Sequence, residues 1–202
     1  MTVPLPGSLD PVTEIVLFHH AQGLTSGVRG LADALAREGH VVHTPDLYEG
    51  RTFETIDGGV AHAKEIGFGT IAERGRAAAA ELGGPLVYAG ISLGVMCAQE
   101  LAQTTPGARA AVLFAGCFPP EEFGRPWPEG VPAQIHMMDT DEWVLEGDLE
   151  AAQTLAAARP DVELFLYEGD RHLFIDESTP DHDPEAAALA TERTLRFLAG
   201  LG

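Results

Sequence analysis

The residues Gly90-Ile91-Ser92-Leu93-Gly94 set a serine between two glycines, directly after the apolar run Leu86-Val87-Tyr88-Ala89 and ahead of a helical pattern. That spacing suits one kind of chemistry. A strand that turns sharply into a helix holds the serine hydroxyl in a strained conformation, where side chains on either flank would collide. The entering helix aims backbone N–H groups and the positive end of its dipole at the same point, and both stabilise an anion forming beside the hydroxyl. Serine is a weak nucleophile without a base, so the arrangement calls for a histidine and for an acid to orient it. His172 follows the apolar run Leu164-Phe165-Leu166-Tyr167 and the turn Glu168-Gly169-Asp170-Arg171. Asp141 follows Ile135-His136-Met137-Met138, with Asp139 and Glu142 beside it as rival acids.

Positioning those three groups requires strands whose ends share one edge. Strand candidates lie at residues 14–20, 41–44, 86–91, 110–115, 133–138 and 162–167, and most are nearly continuous in Val, Ile, Leu and Phe, the signature of strands buried on both faces of a parallel sheet. Helical patterns at 26–38, 70–82, 95–103 and 149–158 alternate with them, and an amphipathic helix at 185–198 closes the chain. The alternation predicts an α/β fold, a mostly parallel sheet of about six to seven strands with helices on both faces and ligands held beyond the carboxyl ends of the strands. Residues 1–202 read as one domain with little or no cap. Residues 118–131, rich in proline and holding Trp127, read as a loop over the strand ends.

Ser, then Asp, then His along the chain is the order of the α/β-hydrolases. In that fold the loop after the first strand donates the second oxyanion N–H, which falls to Ala21, and Leu93 supplies the first. His19 and His20 in this loop invite a metal reading, but neighbours on an extended segment point to opposite sides and no ligand-spaced partner accompanies them. No metal and no cofactor are expected. His20, Trp127 and Trp143 are candidates for the substrate pocket, together with Phe68 and Phe123.

Composition narrows the partners. Twelve basic against thirty-one acidic residues give a formal net charge of −19, which repels phosphate backbones and anionic lipid headgroups alike, so nucleic acid and membrane are not expected partners. Residues 1–12 carry neither the basic stretch nor the apolar core of a secretory signal. The two cysteines, Cys97 and Cys117, suit reduced thiols in a cytoplasmic protein better than a disulfide framework.

The chain resembles the dienelactone hydrolase family over its whole length. The segments that carry the likeness are Phe18-His19-His20-Ala21-Gln22-Gly23, Thr44-Pro45-Asp46-Leu47-Tyr48-Glu49-Gly50-Arg51-Thr52, Gly90-Ile91-Ser92-Leu93-Gly94, Met138-Asp139-Thr140-Asp141 and Gly169-Asp170-Arg171-His172-Leu173-Phe174. The resemblance implies Ser92 as nucleophile, Asp141 rather than Asp139 as acid, His172 as base, and Ala21 and Leu93 as oxyanion donors. Three positions depart from it. Ser92 stands where enzymes that open dienelactone carry cysteine, His20 where they carry glutamate, and Asp176 where an arginine meets the substrate's carboxylate. The departures and the acidic surface favour a neutral ester over an anionic lactone. The expected activity is hydrolysis of a carboxylic ester, lactone or thioester through an acyl-Ser92 intermediate. Two other readings compete with it: a non-catalytic α/β-hydrolase-like protein that binds a small hydrophobic ligand, and a thiol enzyme using Cys97.

Overall fold

Six apolar runs form strands in the computed structural model, which describes residues 12–201. Residues 1–11, most of the segment read as lacking an export signal, and residue 202 lie outside the described residues. The strands are β1 (Glu14–Phe18), β2 (Val41–His43), β3 (Val87–Ile91), β4 (Ala110–Phe114), β5 (Ala133–Met138) and β6 (Val162–Tyr167). They pair in parallel throughout, in the order β2-β1-β3-β4-β5-β6. Every residue of β3, β4 and β5 is buried, as is all of β1 except Glu14.

Each central strand therefore feeds two apolar cores at once. Val16, Phe18, Tyr88, Leu113 and Ile135 point to one face, and Ile15, Leu17, Val87, Ala89 and Val112 to the other, as the two-residue period of a strand requires. The helices are α1 (Ser26–Arg37), α2 (Ile56–Ile66), α3 (Phe68–Leu82), α4 (Leu93–Thr104), α5 (Glu142–Leu145), α6 (Asp148–Ala158) and α7 (Pro184–Ala199). α3, α4 and α6 cover the first face, α1 and α7 the second. None of these helices is long and apolar enough to cross a membrane.

Three elements differ from the sequence expectation, the single-turn helix α5 (Glu142–Leu145) being one of them. α2 is absent from the hydrophobic pattern because its run contains Gly58 and Gly59 and buries only Gly59 and Ala63. Its start is set by Thr55, whose side chain accepts from Gly58 N–H at 3.1 Å, a cap that local sequence alone does not single out. Within the proline-rich segment, Pro120–Phe123 form a single 3-10 turn, and Trp127 is anchored by its indole N–H donating to the Val131 carbonyl at 2.8 Å.

Two core histidines make the fold acid-sensitive. His136 on β5 stacks between Phe114 and Phe165, with ring centroids 5.1 and 5.3 Å away, and its Nδ1 lies 2.8 Å from the Tyr167 hydroxyl. Burial, with the Arg193 charge adding to it, pushes its pKa from 6.5 down to about 3. His19 is pushed down to about 4, again chiefly by burial. The unfolded chain takes up these protons near pH 6.5, whereas the folded chain does not until pH 3 to 4. Stability is then fully present above pH 6.5 and falls on acidification, by about 1.4 kcal/mol per pH unit for each group. Urea titrations between pH 7 and 5 should show this slope, and His136→Phe, which fits the aromatic stack, should roughly halve it. An unchanged slope in that variant would assign the acid sensitivity to other groups.

Candidate active site

The turn from β3 into α4 holds Ser92 at φ +49°, ψ −115°, a region that L side chains rarely adopt. The two flanking glycines are required by space. A Cβ on Gly90 would lie 2.4 Å from the Gly94 carbonyl oxygen, and one on Gly94 would lie 2.3 Å from the Phe18 carbonyl oxygen. Close approach of α4 to β1 thus depends on Gly94, and it brings the serine turn against the loop that leaves β1.

Ser92 Oγ lies 2.7 Å from His172 Nε2, and His172 Nδ1 lies 2.6 Å from Asp141 Oδ2. With Nδ1–H donating to the carboxylate, Nε2 is left to accept the serine proton. Asp141 is fully buried and also caps α5, its Oδ1 accepting from Trp143 N–H at 3.0 Å. Its rivals lie elsewhere. Asp139 is exposed and accepts from Gly169 N–H at 3.0 Å, and Glu142 is exposed on the rim. With a buried carboxylate bonded to its far nitrogen and a strained serine at its near one, the imidazole can take the proton from that serine and be stabilised once it is charged.

His172 opens into a cleft of about 600 Å³ that Gln22, Ile56 and Trp143 also line. The Trp143 ring sits 5.6 Å from the His172 ring. Glu54, Asp57, Glu142, Asp170 and Asp181 also stand in the wall, and among the described residues neither lysine nor arginine contributes to it. The cleft is therefore electrostatically hostile to an anionic ligand.

The loop after β1 carries Ala21, and no described residue accepts from its N–H. Leu93 is the first residue of α4, so its N–H belongs to the first turn, whose donors have no intrahelical acceptor. The loop is clamped from several sides. His19 Nδ1 bonds the His20 carbonyl at 2.8 Å, and its Nε2 accepts from Leu47 N–H at 3.0 Å. Phe53 N–H donates to the Gln22 carbonyl at 2.9 Å. α2 presses on the loop at Gly59, where a Cβ would come within 1.9 Å of the Ala21 carbonyl oxygen. No sequence signal marks Gly59, because its contact is with a segment 38 positions away in the chain.

Two expectations are corrected, and the competing thiol reading loses its support. His20 does not face the cleft: its side chain is wholly buried, with Nε2 2.6 Å from Asp176 Oδ2. Trp127 is buried and lines a separate cavity of about 520 Å³ between the proline-rich segment and α6. Its indole N–H donates to the buried Val131 carbonyl, so it packs rather than meeting the site. Cys97 lies buried in α4 against Gly75 of α3, and burial, with nearby Glu100 adding to it, pushes its thiol up to about 12, which removes the thiolate that a thiol enzyme needs. Asp148, at the start of α6, goes unmarked by the sequence reading. It accepts from Cys117 N–H at 2.7 Å, and burial raises its carboxyl above the usual range despite that bond and the nearby His172.

A parallel sheet with helices on both faces, a serine at a strained strand-to-helix turn, and a histidine and an aspartate on later strand-end loops define an α/β-hydrolase without a cap domain. The dienelactone hydrolase family profile matches residues 3–201, and the chain belongs to that family, whose members are hydrolases acting on esters. Among solved structures it is similar to P91, a dienelactone hydrolase-like promiscuous phosphotriesterase from metagenomic libraries, at 20% identity and TM-score 0.71 over 95% of this chain and 87% of that one. It is similar also to the thermophilic esterase Est2 of the planctomycete Thermogutta terrifontis, solved with propionate bound, at 22% identity and TM-score 0.61 over 97% and 86% of the two chains. That esterase phosphorylated by paraoxon matches at 22% identity and TM-score 0.61, over 98% of this chain and 86% of that one. No curated protein matches the chain.

Proposed function

We propose that the protein hydrolyses a neutral carboxylic ester or lactone, with thioesters open to the same chemistry, through an acyl-Ser92 intermediate. The observation that carries this reading is the continuous contact from Ser92 Oγ to His172 Nε2 at 2.7 Å and from His172 Nδ1 to Asp141 Oδ2 at 2.6 Å. As Ser92 Oγ bonds to the carbonyl carbon, its proton passes to His172 Nε2 and the carbonyl π electrons move to oxygen. Ala21 and Leu93 N–H groups receive that oxyanion. Asp141 keeps the imidazole in the productive tautomer and stabilises it once it is charged. Collapse of the tetrahedral intermediate breaks the carbon–oxygen bond to the alcohol, which leaves with the proton from His172. Water then repeats the two steps on the acyl-enzyme, freeing the acid.

The preference for a neutral substrate rests on the five carboxylates in the cleft wall beside Asp141. Asp176 is buried and bonded to His20, so no cation replaces the arginine that meets the carboxylate in enzymes opening dienelactone.

Paraoxon tests the reading, since it phosphorylates the Thermogutta esterase that shares this fold. Attack of Ser92 Oγ on phosphorus expels p-nitrophenolate. The expected result is one equivalent of chromophore per protein and a diethylphosphoryl group on the Ser92 peptide. Protein that neither takes the label nor turns over p-nitrophenyl acetate would instead be a binding module with an inert pocket.

A further inference from the structure

His20 and Asp176 stand 156 residues apart, yet His20 Nε2 lies 2.6 Å from Asp176 Oδ2 with both side chains fully shielded from solvent. Neither group touches the cleft, so neither meets a substrate. The pair joins two segments that matter to the reaction. One is the loop carrying Ala21. The other is the turn after His172, in which Asp176 N–H donates to the Leu173 carbonyl at 2.9 Å.

The bonding around the pair sets the orientation of the loop. Gln22 N–H donates to His20 Nδ1 at 3.2 Å, which leaves the ring proton on Nε2, aimed at Asp176. The His20 ring is thus wedged between the backbone N–H two residues ahead of it and a carboxylate from the far end of the chain. Asp176 in turn is locked. Its Oδ2 also accepts from the Thr25 hydroxyl at 2.5 Å, and its Oδ1 accepts from Ser178 N–H at 2.7 Å and the Ser178 hydroxyl at 2.6 Å. Burial alone would raise this carboxyl, but the bonds from His20, Ser178 and Thr25 outweigh it and hold it down to about 2, so Asp176 stays ionised wherever the enzyme works. Thr25 is the cap of α1, and its Oγ1 accepts from Val28 N–H at 3.2 Å. A buried carboxylate adds little net stability compared with apolar packing even when it is fully hydrogen-bonded, so stability alone is a weak reason for this contact.

We infer that His20 and Asp176 are positioning residues: together they hold the Ala21 N–H in register with Ser92 and tie it to the segment that carries the base His172. The inference rests on the acyl-Ser92 reading. An oxyanion donor matters only while charge develops on the carbonyl oxygen, so loosening it acts on turnover more than on substrate binding.

The test compares wild type with His20→Gln, Asp176→Asn and the double variant, using p-nitrophenyl acetate. Turnover is divided by the sites titrated with paraoxon, so that unfolded protein does not count. Each single variant is expected to lower kcat per titrated site by roughly 10- to 100-fold, the range that a misplacement of about 1 Å produces. KM should stay nearly unchanged, and the double variant should be no worse than the poorer single one, because both remove the same link. The inhibition constant of phenylboronic acid, which forms an anionic adduct on the serine, should rise in step with the fall in kcat. Ser178→Ala, which removes one donor to Asp176 and leaves the pair in place, keeps the question decidable if the buried variants fail to fold, and it should lower kcat per site several-fold. Wild-type kcat per site in the variants that fold, with only Tm lowered, would make the pair a structural anchor and overturn the inference. If wild-type enzyme hydrolyses the ester while Ser92 remains unmodified by paraoxon, the acyl-serine reading fails and takes this inference with it.

Discussion

Ser92→Ala lowers kcat for ester hydrolysis by about 10⁶, the size of loss seen when the nucleophile of a serine triad is removed. The fold should survive, because alanine meets the same backbone geometry and the substitution removes only the hydroxyl, whose partner His172 keeps its bond to Asp141. Activity on p-nitrophenyl acetate and the thermal midpoint, measured on the same preparation, decide the matter. A variant with near-native turnover would end the acyl-serine reading. Ser92→Gly carries a further consequence. Glycine adopts φ +49° without strain, so the inactive glycine variant should be more stable than wild type, by about 1 to 3 kcal/mol if the full strain is released. Strain at the nucleophile is then a cost that the rest of the fold sustains.

Asp141→Asn lowers kcat by about 10⁴, and Asp139→Asn leaves it nearly unchanged. An asparagine at 141 can still cap α5, so the loop keeps its shape. Its amide, turned toward His172, donates to Nδ1, drives the ring proton to Nε2 and removes the acceptor that Ser92 needs. At position 139 an asparagine oxygen continues to accept from Gly169 N–H on an exposed surface, where neither the hydroxyl nor the imidazole is in reach. The pair of variants is a direct comparison of two acids that lie two positions apart on one loop. A large loss at 139 with a small one at 141 would reverse the assignment of the acid and with it the proposed relay.

The strands were legible in the chain because burial on both faces leaves a local trace. Residues 110–114 and 87–91 are apolar almost without a break, and each lies buried between two cores. The serine turn was equally legible at Gly90, whose steric demand comes from Gly94 within five residues, whereas Gly94 answers the Phe18 carbonyl on the neighbouring strand. α2 was not, because its run holds two glycines and buries only Gly59 and Ala63, while its start and its fit against the Ala21 carbonyl depend on the Thr55 cap and on Gly59. The side chains around the site were legible by type and misread by direction. His20 and Trp127 have the chemistry of pocket residues, yet one is drawn inward by Asp176 and the other by the Val131 carbonyl.

The amino-acid order by itself determined the parallel sheet, the sharp turn at Ser92 and the presence of a histidine and acids on later strand-end loops, because sterics and hydrophobic periodicity act over a few consecutive residues. Only the tertiary structure decided which carboxylate meets His172, that Asp176 pairs with His20, and that carboxylates line the cleft wall. Those outcomes depend on distances between groups separated by 31 to 156 residues, and a polar side chain takes whichever partner the packing of the sheet and its helices brings within 3 Å.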